Sequence, residues 1–60
     1  MATYKNTTIN DTGFVQLPVG TTAQRPSSPV TGMMRYNTTF GVIEYWNGAA
    51  WTTISTALYY

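Results

Sequence analysis

The sequence predicts an all-β protein: a small C-terminal antiparallel three-stranded meander behind an extended N-terminal arm, completed by association of several copies. Three observations predict it. First, twelve threonines and an aromatic share of 15% supply residues suited to a pleated, half-buried surface, while the helix formers Leu (two), Glu (one) and Lys (one) are nearly absent. Second, the last half holds three strand-like runs separated by connectors of hairpin length. Third, a chain of 60 residues hides only about 60% of the surface its unfolded form exposes, and one with no Cys and no His has neither a disulfide nor a zinc site to compensate. Oligomerisation is the remaining support.

Residues 1–20 read as an extended arm or a pair of short strands. TYKNTTI (3–9) sets Tyr4 and Ile9 among Thr and Asn, Asn10-Asp11-Thr12-Gly13 is a turn cluster in which Gly supplies a positive φ, and FVQLPV (14–19) is a second extended stretch closed by Pro18 and Gly20. Residues 21–32 form a connector. Pro26 and Pro29 fix their own φ and push their predecessors toward extended geometry, so this segment is not helical and runs stiffly along a surface.

Residues 33–60 carry the meander. MMRYN (33–37), VIEYW (42–46) and WTTIS (51–55) are the strands, with 38–41 and 47–50 as loops. That register sets Arg35 opposite Glu44, Tyr36 opposite Ile43, Met34 opposite Tyr45, Trp46 opposite Trp51 and Ile43 opposite Ile54, which are favourable cross-strand neighbours. A two-residue Asn47-Gly48 turn slides the second pairing by two and keeps every side chain on its face. One face then carries Met34, Tyr36, Ile43, Tyr45 and Ile54. The other carries Met33, Arg35, Val42, Glu44, Trp46 and Trp51. A helix-free chain of this length has too little polypeptide to cover both, so at least one face is expected to meet another copy.

Charge excludes several functions. Five charged side chains, 8% of the chain with a net charge of +1, form no basic footprint for nucleic acid and no polybasic patch for lipid. No apolar run approaches the ~18 residues of a membrane span, so no membrane insertion is expected. MATYKNTT lacks the features of a signal peptide, which points to synthesis in a cytoplasm without export. Asp11 and Glu44 are the only acidic side chains and lie far apart in sequence, so no metal-ligand spacing exists, and no cofactor loop precedes a helix. Glu44 has no second carboxylate, His or Lys in its sheet to share general acid-base work, so no catalytic residue is assigned and no enzyme is expected.

GTTAQRPSSPVTGMMRYNTTFGVIEYWNGAAW (20–51) resembles a short module of tailed-bacteriophage virion proteins, especially tail-fibre and related appendage proteins. The shared order is a Gly-Thr-Thr stretch, Arg-Pro with a second Pro three on, Gly, an Arg-Tyr-Asn strand and a Glu-Tyr-Trp-Asn-Gly-x-x-Trp ending. It covers about half the chain. The resemblance implies a β-rich, generally trimeric structural module without enzymatic activity, located in the virion and docked to other tail, baseplate or capsid proteins. The long receptor-binding shaft of a full fibre is missing here, which favours a decoration or connector.

On this reading the homotrimer interface draws on Met34, Tyr36, Ile43, Tyr45, Trp46, Trp51 and Ile54, with Arg35 and Glu44 setting register as a cross-strand or inter-subunit ion pair. Arg25, with Pro26, is either a connector contact to a carboxylate or carbonyl of a neighbouring subunit or a solvated loop residue. Trp46 and Trp51 flanking a turn also admit an alternative, a host-glycan-binding adhesion module at an appendage tip that stacks sugar rings on the indoles. A third option is an assembly factor absent from the finished particle.

Overall fold

The computed structural model describes residues 4–54. Thr3 of the first extended stretch, Ser55 at the end of the third expected strand, and residues 56–60 of the expected meander module lie outside these residues.

The meander forms because two Asn–Gly pairs turn the chain where its apolar alternation stops. Strand β2 (Met34–Asn37) ends on Asn37, whose side-chain oxygen accepts from the backbone N–H of Thr39 (2.9 Å) and Phe40 (3.4 Å). Gly41 completes this turn at φ +69, donating to the Asn37 carbonyl at 2.8 Å. Strand β3 (Val42–Trp46) follows. Asn47 repeats the device, accepting from Ala49 (2.8 Å) and Ala50 (2.9 Å), with Gly48 at φ +103, before β4 (Trp51–Ile54). Both glycines occupy the left-handed region, where a Cβ is strained.

The antiparallel register is the expected one: Met34↔Tyr45, Arg35↔Glu44, Tyr36↔Ile43, Ile43↔Ile54 and Trp46↔Trp51. The second loop therefore uses all four residues 47–50 rather than the two-residue Asn47-Gly48 turn.

A further strand joins this meander. Val19–Gly20, labelled β1, pairs in parallel with Tyr36 and Asn37, giving a four-stranded mixed sheet in the order β1-β2-β3-β4. Tyr36 donates to the Pro18 carbonyl at 2.9 Å and Thr38 to the Gly20 carbonyl at 2.8 Å. Pro18, lacking an N–H, is tolerated because it precedes a short edge strand. A parallel pair needs a crossover of a dozen or more residues, and the connector supplies it. Gly32, at φ +96 in the third position of a turn closed by Met33 N–H to the Val30 carbonyl (3.0 Å), feeds the chain back into β2.

Besides the turn at Gly32 the connector holds one 3-10 turn, Thr22–Gln24. The Gln24 side chain accepts from the Thr21 N–H at 2.8 Å, and the turn ends at Arg25 because Pro26 holds that residue extended (φ −61, ψ 143). In the arm, the bend at residues 12 and 13 is made by Asp11, whose carboxylate accepts from the N–H of Thr12 and Gly13. Gly13 does not adopt the positive φ expected of it. A side chain that already folds the backbone back leaves no need for left-handed geometry.

Burial is inverted relative to an ordinary small domain. Among the described residues no hydrophobic side chain is buried; the buried residues are Gly20, Arg35, Asn37 and Glu44.

Candidate functional site

Strand alternation sends Arg35, Asn37 and Glu44 to one side of the sheet, and the crossover lies over that side. Glu44 sits at the centre, 1% exposed. Its Oε1 accepts from Arg25 Nη2 (2.7 Å) and Asn37 Nδ2 (3.2 Å), and its Oε2 accepts from Arg25 Nε (3.1 Å) and Arg35 Nη1 (2.6 Å). The Arg25 fork grips both oxygens, the bidentate geometry that makes such pairs strong. Arg35 Nη2 donates to the Thr21 carbonyl (2.9 Å), and Asn37 donates to the Thr22 hydroxyl (2.9 Å). Every buried side-chain polar atom among the described residues has a partner. The cluster therefore clamps the crossover, residues 21–25, onto β2 and β3.

The donors determine the electrostatics. Hydrogen bonds from Arg25 first, then from Arg35 and Asn37, outweigh the opposing effect of burial and hold the Glu44 carboxyl at about 2. The same contact raises the Arg25 pKa. A carboxylate so stabilised, with four hydrogen bonds already on its two oxygens, is a poor proton acceptor at neutral pH.

Trp46 and Trp51 flank this cluster on the same side. Their rings meet edge to face, centroids 5.6 Å apart at 62°, and the Arg25 guanidinium stands 5.7 Å from the Trp51 ring centre. Gly20 is where the crossover leaves the sheet, and a Cβ there would lie 2.7 Å from Arg35 Nη2 and 2.8 Å from Gln24 Oε1, so both side-chain ends would have to move off their present partners.

The opposite side of the sheet is apolar and open. Val19, Met34, Ile43 and Ile54 are exposed there, with Tyr36 and Tyr45 half-buried. No charged side chain stands on this side of the strands. Arm residues Phe14, Val15, Gln16 and Leu17 form one bank of a groove of about 330 Å³ whose floor is Val19, Tyr36 and Ile43. A second cleft, about 490 Å³, opens beside Pro26, Met33, Met34 and Trp51.

The structure divides the expected interface residues. Met34, Tyr36, Ile43, Tyr45 and Ile54 share the open face, whereas Trp46 and Trp51 lie on the clamped side. Arg35 and Glu44 pair across strands within one chain, and Arg25 reaches the carboxylate of its own chain. Pro26 contributes by ending the turn that aims Arg25. Three participants were missed in the sequence: Asn37 as a donor to Glu44, Thr22 as its neighbour, and Gly20 as the close-approach point. The polar stripe Arg35-x-Asn37 opposite Glu44 was the readable signal for the first.

Among the described residues no three His, Cys, Asp or Glu side chains come together as a metal site would need. In comparisons with protein-family models, curated proteins and solved structures, nothing matches the chain.

Proposed function

We propose that the chain is a non-enzymatic structural module of a tailed-phage particle, a homotrimer assembled through the apolar face of its sheet and docked to other virion proteins. One observation carries the assembly reading: the polar residues are inside and the apolar ones outside, with no hydrophobic side chain buried among the described residues. Fully covering a Val, Ile or Met is worth ~1.5–3 kcal/mol, so Val19, Met34, Ile43 and Ile54, each about half exposed, leave several kcal/mol unrealised in an isolated copy. Association realises it. The virion assignment is supported by the resemblance of residues 20–51 to phage appendage modules. A β-rich trimer in which each copy covers its neighbours also suits a particle outside the cell, because unfolding then requires subunits to part.

The glycan-binding alternative draws on Trp46 and Trp51. The geometry favours the structural reading, because Arg25 already stands over Trp51 and the two indoles meet edge to face instead of side by side. Sedimentation velocity over a micromolar series tests assembly: the expected particle has three times the 6.7 kDa of one chain. A well-folded monomer throughout would overturn it. Mass spectrometry of purified phage particles tests the location.

A further inference from the structure

We infer that the N-terminal arm of one copy packs on the apolar sheet face of the next, filling the groove floored by Val19, Tyr36 and Ile43, so that assembly proceeds by arm exchange. This rests on the homo-oligomer reading above and adds which surface meets which.

Three observations lead to it. The first is area. Three strands ~15 Å long and the two-residue β1, ~7 Å long, all about 4.8 Å apart, give a sheet face of roughly 250 Å². A standard specific interface covers ~800 Å² on each partner. Even with the relief of its side chains the face is too small alone, so a further surface must contribute. The second is symmetry. A cyclic trimer joins two different patches of each copy, and a single self-complementary face satisfies only a two-fold pair. Off the sheet, exposed apolar residues concentrate on the arm, where Phe14 is 82% and Tyr4 76% exposed and Ile9 and Val15 are also bare. Elsewhere off the sheet, among the described residues, the exposed large apolar side chains are only Val30 and Met33, which share one turn, and Phe40, alone in another, a smaller set than the arm's. The arm is thus the second patch.

The third observation is charge. Segment 14–17 carries none, and neither does the sheet face, so bringing them together desolvates no ion. A partner bearing charges on its matching surface would have to bury them uncompensated. Another copy of this chain does not. Phe14 to Leu17 already line the groove in their own chain, so the surface accepts this segment, and exchange replaces a copy's own segment by its neighbour's.

The absence of Cys allows a direct test. Two full-length single-cysteine proteins, Phe14→Cys and Ile43→Cys, are made separately with different mass tags, mixed, and oxidised mildly. Any mixed disulfide is inter-chain by construction. Arm exchange predicts a mixed product well in excess of that from Phe14→Cys with Ala49→Cys, a site in the exposed loop after β3. A yield no greater than this control overturns the inference. In a second measurement, Phe14→Ser combined with Val15→Ser should weaken assembly at least tenfold in sedimentation while Trp fluorescence stays native. Unchanged assembly overturns it as well. The two readings fail differently. An oligomeric wild type without excess mixed disulfide removes arm exchange and leaves assembly standing, whereas a monomeric wild type removes both.

Discussion

Replacing Glu44 by Gln removes one charge and almost no volume, and the cluster gives the consequence. The carboxylate is the single acceptor shared by two guanidinium groups, so Glu44→Gln leaves Arg25 and Arg35 with no anion between them. Their fates differ. The Arg25 side chain is 27% exposed and can swing into water, at the cost of a surface pair, ~0–1 kcal/mol. Arg35, 8% exposed under the crossover, stays buried and uncompensated. Breaking a buried pair by removing one partner costs ~3–5 kcal/mol. Against a stability of roughly 0.05–0.15 kcal/mol per residue, or about 3–9 kcal/mol for 60 residues, that is a large fraction. Urea unfolding followed by indole fluorescence, with Trp51 beneath Arg25 as reporter, should show a loss of about 3 kcal/mol or an unfolded protein. Restoring nonpolar packing with Glu44→Leu and Arg35→Met together should recover most of it. A loss below ~0.5 kcal/mol in Glu44→Gln would refute the clamp.

The remaining expectations concern pH, the crossover and the open face. Folding lowers the Glu44 pKa from its ordinary 4.5 to about 2, so its stabilisation is complete above about pH 4.5 and is lost as pH falls toward 2. Solvent reaching Arg25, whose side chain is 27% exposed, limits this to ~1–3 kcal/mol, and the acid-dependent slope should shrink in Glu44→Gln when unfolding is repeated between pH 2 and 6. Gly20→Ala should destabilise by ~1–3 kcal/mol, since its Cβ would stand 2.7 Å from Arg35 Nη2; faster amide exchange over residues 20–25 is the local readout. Ile43→Asp should leave the Trp fluorescence intact and abolish the oligomer in sedimentation, because a carboxylate is then buried without a partner at the centre of the apolar face.

Much of the fold was legible because it is local. Met34–Asn37, Val42–Trp46 and Trp51–Ile54 alternate cleanly, their turns carry Asn and Gly at the required places, and opposite charges at Arg35 and Glu44 fix the register. Pairing of β1 was not legible. Two residues, Val19 and Gly20, hold no periodicity, and a parallel partner reached through a crossover leaves no turn signature. The site was half legible for the same reason. Arg35 and Glu44 sit at opposed strand positions, whereas Arg25 arrives from 19 residues away and is aimed by Pro26 and the turn before it. Arg25 is no solvated loop residue, since it grips the Glu44 carboxylate. Asn37 has two roles: its amide nitrogen serves Glu44 while its oxygen closes the turn.

The polarity of this sheet follows from what a single copy can cover. Thirteen residues of crossover, 21–33, span one face of a sheet whose meander strands are four or five residues long, and they bring one arginine, hydroxyls and carbonyls but few large apolar side chains. A greasy face beneath that strap would be badly packed; a polar face finds a donor or acceptor for every group. Directional contacts also specify geometry in a way that loose apolar contact does not: the fork of Arg25 on Glu44 fixes where the crossover lies, and with it where Val19 and the arm emerge. The apolar residues are thereby released to the other side. Each copy is ordered by its ions and left short of burial, so the free energy that a larger domain would gain from its own core is left to the proposed contacts between copies.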